Sequence, residues 1–329
     1  MLLTWPHPDG DWGTRLQEAE GVFLAIATAV TRRERLLVVC RDPAHRQHVR
    51  LLLSGAGVAL EAVSLVLAPS NDSWARDHGP ITILEDGAPH LMSFRFNGWG
   101  NKYPADLDAA ITGKLHEAGA FGATPLERAD LVLEGGSIDS DGQGTLLTTS
   151  RCLLSRHRNA GASRVAMEQA LGKLLGARRV LWLEHGMLVG DDTDGHVDML
   201  ARFCATDTIA YTACETPDDE HFHELQAMAG ELAGLRTGRG EPYRLVPLPL
   251  PGPKRDDEGR RLPASYANFL VINGAVLVPV YGDAADNLAL QCLGDCFPDR
   301  ALVAIPALPL IRQYGSLHCV TMQLPKEVL

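Results

Sequence analysis

No run in this 329-residue chain reaches the roughly 18 consecutive apolar residues that a membrane-crossing helix needs. The opening MLLTWPHPDGDW lacks the basic stretch followed by an apolar core that marks a secretion signal. A cytoplasmic protein is therefore the expectation. Basic charge is in short supply: 30 Lys+Arg stand against 41 Asp+Glu, for a net charge of −11. That balance argues against nucleic acid and anionic membranes as partners and suits a cationic small molecule. CxxC pairs are absent. The seven cysteines (Cys40, Cys152, Cys204, Cys214, Cys292, Cys296 and Cys319) are odd in number and irregular in spacing, which suggests reduced thiols. Cys292 and Cys296 lie close together, but no second pair accompanies them to make a zinc site.

What is present alternates between helix and strand. A helical stretch ending in arginine runs into an apolar segment at RERLLVVC (33–40), ARRVLWLE (177–184) and DRALVAI (299–305). Each reads as a helix feeding a buried β-strand. LEAVSLVLAP (60–69) and RADLVLEGG (128–136) read as strands ending in polar loops, and TLLTTS, HVDMLARF, TIAYTA, FLVIN and AVLVPV as further strands. Helices are expected near 14–31, 43–55, 106–119, 161–176, 218–233 and 285–296. This alternation indicates an α/β or α+β chain. Its recurrence, roughly every 60–70 residues, hints at several copies of one supersecondary unit. No linker divides the chain, so 1–329 is expected to form a single domain. PLPLPGPKRDDEGRRLP (247–263) reads as a long surface loop and a candidate cover for an active site.

Five stretches carry groups capable of chemistry. In DTDGHVDML (192–200), a strand would point His196 and Asp198 to one face. There they either share a pocket or form a solvent-facing polar strip. The acidic GDDTDG before them does not fit a calcium loop, because Gly190 and Ala201 fall where its terminal carboxylates belong. In YGSLHCVTMQLP (314–325), a strand would turn His318 away from Cys319. His318 then serves packing or hydrogen bonding behind the strand. Cys319 is either a buried core thiol or a nucleophile whose base is another histidine, with His196 the natural choice. Asp77 in NDSWARDHGP (71–80) and Glu134 in LEGGSID (133–139) each end an apolar run at a turn. Paired carboxylates match the planar donor fork of a guanidinium. Arg76 reads as a structural salt-bridge partner. NGWGNKYPADLD (97–108) is a glycine- and aromatic-rich loop.

Taken together, TWPHPDGDW, NDSWARDHGP, RFNGWGNKYPADLD, LEGGSIDSDGQGTLLTT, GHVDMLARF, ASYANFLVINGAVLVPVYGD and HCVTMQLP resemble the agmatine deiminases, in the order found in that family and over nearly the whole chain. The wider family includes the bacterial-type peptidyl-arginine deiminases. The resemblance implies a pentein fold, a five-fold pseudosymmetric α/β propeller around a central site. It implies Cys319 as nucleophile and His196 as general acid/base. Asp77 and Asp198 would be the carboxylates that grip the guanidinium, Glu134 the acidic residue that holds His196 and raises its pKa, and Trp74 a wall of the pocket. The implied reaction is hydrolysis of agmatine to N-carbamoylputrescine and ammonia through a covalent cysteine intermediate, with no metal or organic cofactor. The implied assembly is a homodimer. Rival readings are deimination of peptidyl-arginine or another guanidino compound, amidino transfer to an amine, and a catalytically silent guanidinium-binding pentein. A papain-like protease is the weakest, because its cysteine precedes its histidine. Where the family usually has Gly-Gly-Gly-Asn before Ile-His-Cys, this chain has QYGSLHC, with Tyr314 and Ser316 substituted. That departure bears on the group beyond the guanidinium more than on the chemistry.

Overall fold

The computed structural model describes residues 1–328. Its strands are β1 (Leu2–Thr4), β2 (Leu36–Cys40), β3 (Val63–Leu67), β4 (Ile81–Glu85), β5 (Ala88–Arg95), β6 (Leu126–Val132), β7 (Ile138–Ser140), β8 (Thr145–Thr149) and β9 (Arg179–Leu183). They continue with β10 (Ala201–Ala205), β11 (Thr208–Ala213), β12 (Arg244–Pro249), β13 (Leu270–Ile272), β14 (Ala275–Val280), β15 (Ala301–Pro306) and β16 (Thr321–Met322). They fall into five small sheets.

Four sheets repeat one plan. Two strands form an antiparallel hairpin, and a helix then crosses over to a third strand parallel to the second. The crossover helices are Asp106–Glu117, Arg164–Leu175, Phe222–Gly234 and Asp286–Cys296. A helix is the usual crossover because parallel neighbours cannot be joined by a tight turn. The fifth sheet draws its first strand from the far end of the chain: β16 pairs antiparallel with β1, and β1 runs parallel to β2 across the helix Leu16–Thr31. β3 extends that sheet. The chain thus closes on itself as the five units of a pentein.

The parallel strands read as continuous apolar runs because both faces are covered. LLVVC of β2 is buried throughout. The helices cover them with one apolar stripe; Ala19, Phe23, Ile26 and Val30 line the buried side of Leu16–Thr31. Their starts are written in sequence. Asp42 accepts a hydrogen bond from the His45 amide with Pro43 following it, and Ser163 accepts from the Ala166 amide. All seven cysteines are free thiols, and none of the helices described is long and apolar enough to cross a membrane.

Three expectations are corrected here. HVDML is not a strand: Val197–Met199 is a 3-10 turn, and β10 begins only at Ala201. Cys319 is not on a strand either; it lies in a turn just before β16. Finally, residues 247–249 belong to β12, and the loop after them is pinned by Arg261 against Asp219 (2.8 Å) and Glu220 (3.0 Å). None of residues 247–263 lines the cavity described next.

Candidate active site

Each of the five units brings residues to one place, just ahead of its first strand. Asp77 precedes β4, Glu134–Ser137 precede β7, His196 and Asp198 precede β10, Asn268 precedes β13, and Cys319 precedes β16. Functional groups collect at strand and loop ends because the scaffold holds them rigidly there while leaving them accessible.

A cavity of about 280 Å³ leads to this point. Cys319, Asp77, Trp74 and Trp99 line it, with Tyr314 and Gly315 beside them. Further out its carboxylates are Asp9, Asp11, Asp72, Asp108 and Asp192, against one cation, Arg41. Arg41 itself pairs with Asp9 at 3.1 Å. Such a funnel concentrates cations. His196, Asp198 and Glu134 do not line the cavity but lie buried behind it.

Gly136 shows how tightly the deeper groups converge. A Cβ at this position would sit 2.7 Å from His196 Nδ1, 2.9 Å from Asp77 Oδ1 and 3.1 Å from Asp198 Oδ2. The Gly136 amide donates to Asp77 Oδ1 (3.0 Å), and the Trp99 indole donates to Asp77 Oδ2 (2.9 Å). Trp99 reaches that carboxylate from a backbone with φ of 56°, a left-handed conformation that a bulky side chain adopts only under constraint. Trp74 is fixed by its indole donating to Asp72 (2.7 Å).

The cysteine turn is held by Asn268. Its side-chain oxygen accepts from the His318 amide (2.7 Å), and its amide nitrogen lies 3.4 Å from Cys319 Sγ. Asp198 Oδ2 lies 3.8 Å from the same sulfur. The turn does not send His318 away from the site: its Nδ1 bonds Asp198 Oδ2 at 2.8 Å, the same oxygen that lies 3.8 Å from Cys319 Sγ. It therefore orients a site carboxylate rather than merely packing. Arg76 has no carboxylate partner among the described residues. Its guanidinium meets the His318 carbonyl, Met322 Sδ and the Gln323 amide oxygen, while its backbone amide donates to the Cys319 carbonyl at 3.0 Å. It braces the turn from behind.

Glu134 departs from the role expected of it. Both of its oxygens accept from Arg158 Nε, at 2.8 and 2.9 Å, in a fully buried pair. No hydrogen bond joins it to His196, and burial, reinforced by the Arg158 charge, holds His196 well below its ordinary pKa. Glu134, Cys152 and His196 do offer ligand atoms within 4.8 Å of one another, but the guanidinium on Glu134 occupies the place where a cation would need to bind it. Arg158 also donates to Asp194 (2.6 Å) and the Thr193 carbonyl (2.8 Å). The acidic GDDTDG loop is thus tied to the site by an arginine and by Lys102 on Asp194 (2.9 Å).

A consequence for stability follows. Arg158→Met should destabilise the protein by about 3–5 kcal/mol in urea unfolding, because Glu134 is left as a buried charge without its partner. The double change with Glu134→Gln should recover most of that loss. If the single variant unfolds at the wild-type midpoint, the pair is not a structural anchor.

Asn268, Arg158, Gly136 and the orienting contact of His318 escaped the reading of the sequence. The position just ahead of each unit's first strand, repeated five times, is the signal that points to Asn268.

Burial sets the charges at neutral pH. Cys319's thiol is pushed well above its ordinary value by burial and then by the Asp198 and Asp77 charges. Asp198 is raised to about 7 by burial, against the pull of Arg202 and Arg76. Asp77 is likewise raised well above its ordinary value, by burial and by the Asp198 charge. Two buried carboxylates and a thiol form a place that a cation would complete.

Comparison with known proteins agrees with this geometry. The family model described as Porphyromonas-type peptidyl-arginine deiminase matches residues 1–325. A Porphyromonas gingivalis protein of solved structure, provisionally named arginine deiminase, is 50% identical with a TM-score of 0.93, covering 99% of this chain and 95% of that one. A Cys-to-Ser variant of C. jejuni agmatine deiminase, solved with substrate bound, is 35% identical with a TM-score of 0.89, covering 97% of this chain and 91% of that one. The agmatine deiminase of Stutzerimonas stutzeri is 32% identical over 98% of this chain and 92% of its own. With five closed units, a cysteine before the last strand and a match along nearly its whole length, the chain belongs to the Porphyromonas-type peptidyl-arginine deiminase family.

Proposed function

We propose that the protein hydrolyses agmatine to N-carbamoylputrescine and ammonia through a covalent intermediate on Cys319, with residues 1–329 acting as one catalytic domain. The observation that carries this reading is the convergence of Asp77, Asp198 and His196 on Gly136 beside the Cys319 cavity. The guanidinium enters as a cation and is held by Asp77 and Asp198 through charge-assisted hydrogen bonds. Its charge replaces the protons that burial had left on the carboxylates, and these pass to solvent. His196 is neutral at this stage, and its buried Nε2 has no hydrogen-bond partner among the described residues. It is therefore able to take the thiol proton. Sulfur bonds to the guanidinium carbon. The C–N bond then breaks as His196 returns the proton, and ammonia leaves. Water, activated by His196, next attacks the amidino carbon. The C–S bond breaks, the thiol reforms and the ureido product departs. Glu134 contributes through Arg158 and the GDDTDG loop, and Trp74 walls the cavity.

The name of the Porphyromonas gingivalis relative favours arginine as a rival substrate. Against it stands the outer cavity, whose one arginine is already paired with Asp9, leaving no cation to meet a substrate carboxylate beside Asp11, Asp192, Asp72 (raised by burial to about 6) and Asp108 (to about 7). A substrate carboxylate would be repelled there, whereas the distal ammonium of agmatine would be attracted. Ammonia release with agmatine, arginine and an arginine-containing peptide, measured side by side, tests the reading. Release from agmatine supports it; release from none removes it. The same reading makes the protein a cytoplasmic homodimer, and sedimentation as a monomer would remove that part.

The pKa directions give a pH dependence. Asp198's folded value of about 7 lies above its ordinary 3.8, so between these values the folded protein holds more protons than the unfolded chain. Stability of the free protein therefore falls as pH rises through this window. Bound guanidinium favours the carboxylate, so binding expels a proton. Agmatine affinity for the Cys319→Ala protein is expected to weaken about tenfold per pH unit below 7. Calorimetry in buffers of different ionisation enthalpy reads this directly. Affinity flat from pH 5 to 7 would mean that the carboxylates are already ionised.

A further inference from the structure

A second cavity, of about 630 Å³, shares no residue with the acidic one yet touches the same turn. Chain neighbours divide between the two: Asp77 and Cys319 line the acidic cavity, Arg76 and His318 this one. Its charge is opposite. Four cations line it, Arg76, Arg202, Arg300 and Lys326, against two carboxylates, Glu34 and Asp139. Asp139 is committed to Arg202 at 2.6 Å. Glu34 accepts from the Asn273 amide (3.1 Å) and lies 3.9 Å from the N-terminal amine. Among the described residues these ion pairs leave Arg76, Arg300 and Lys326 without a carboxylate. The chain carries a net charge of −11, so this is a local reversal of sign.

Arg76 is only 8% exposed, and a buried charge is ordinarily paired. Its side-chain contacts are the His318 carbonyl (3.4 Å), Met322 Sδ (3.4 Å) and the Gln323 side-chain oxygen, one from each guanidinium nitrogen. A guanidinium has five N–H donors. One on each terminal nitrogen is therefore left over, enough to receive two oxygens of one anion. Burial and then the Arg202 charge lower Arg76 to about 10, so it stays protonated at neutral pH. Asp198 and Asp77 pull on it from the substrate side, but burial raises both.

We propose that this cavity is an anion site for a small oxyanion with two or more negative charges, a phosphate or a dicarboxylate, held by Arg76, Arg300 and Lys326. The Arg76 backbone amide donates to the Cys319 carbonyl at 3.0 Å, so an anion on Arg76 bears on the turn that carries the nucleophile. The site does not depend on which guanidino compound the protein hydrolyses.

Calorimetric titration of the full chain at pH 7 and low ionic strength, with inorganic phosphate and with malonate, tests it. At least one of the two is expected to bind once per chain with a Kd below about 1 mM. Arg300→Gln/Lys326→Gln leaves Arg76 and the Cys319 turn untouched and should weaken that binding at least about tenfold. Should the double variant not fold, Lys326→Gln alone, at an exposed position, carries the comparison. Preference for phosphate identifies a phosphorylated ligand, and preference for malonate a dicarboxylate. No saturable binding of either up to about 10 mM, or equal binding in wild type and variant, overturns the proposal. So does binding that Arg41→Gln abolishes or agmatine displaces, because the anion then sits in the acidic cavity. Failure to hydrolyse agmatine removes the proposed function and leaves this site standing.

Discussion

Cys319→Ala is expected to give a folded protein that binds agmatine and releases ammonia at least about 10⁴-fold more slowly than wild type, the scale of loss when a covalent nucleophile is removed. The turn survives the change because its backbone, not the sulfur, is what the structure holds. Arg76 donates to the Cys319 carbonyl at 3.0 Å, and Asn268 accepts from the His318 amide at 2.7 Å. The sulfur's polar contacts are Asn268, the Ser316 backbone and, at 3.8 Å, Asp198. Its removal leaves Asp77 and Asp198 free to grip the guanidinium. Single-turnover ammonia release and calorimetry on the same preparation separate the two effects. Turnover within tenfold of wild type would mean that water attacks the guanidinium directly and no amidino-thioether forms.

The limits of the sequence follow from the length of each signal. Strands such as β2 and β14 are continuous apolar runs bounded by turns, and their burial is legible because period and length agree. β1, β7 and β16 have two or three residues each, too few to show any period. Of the strand expected across 314–325 only β16 forms, and its pairing with β1 joins the two ends of the chain and sets the place of Cys319. Apolar Leu317 and Val320 around Cys319 imitate a strand, yet they are buried by a turn. His196 and Asp198 were expected to meet through strand alternation. They meet instead because a 3-10 turn and the missing side chain of Gly136 let both approach Asp77. The residue types were readable and the reason for their meeting was not. Arg158 left no trace because its partners, Glu134 and Asp194, lie far along the chain on either side and ion-pair choice is a tertiary property. The assignment of His196 to Glu134 failed for the same reason: a buried glutamate takes the partner that best offsets its desolvation, and a fixed guanidinium outcompetes a neutral imidazole.

Gly136→Ala tests the convergence without removing any reacting group. Gly136 does not lie in the left-handed region, so alanine is acceptable to the backbone there and the only obstacle is space. The added methyl would fall 2.7 Å from His196 Nδ1, 2.9 Å from Asp77 Oδ1 and 3.1 Å from Asp198 Oδ2, closer than packed atoms permit. None of the three can retreat easily. Asp77 is held by the Trp99 indole at 2.9 Å, Asp198 by His318 at 2.8 Å, and all three are buried. The groups must spread by several tenths of an ångström, and displacements of about 1 Å in a reacting constellation cost on the order of 10²-fold in rate. A loss of kcat/KM of about 10²-fold or more is therefore expected, with both kcat and KM affected because the same carboxylates bind and orient. Gly21→Ala provides the control: it lies within the helix Leu16–Thr31, where nothing approaches a Cβ, and should leave activity unchanged while stabilising the helix by about 0.5–1 kcal/mol. If Gly136→Ala folds with wild-type kcat/KM, the three groups do not act together on one guanidinium, and the grip on the substrate has to be sought among the aspartates of the outer cavity.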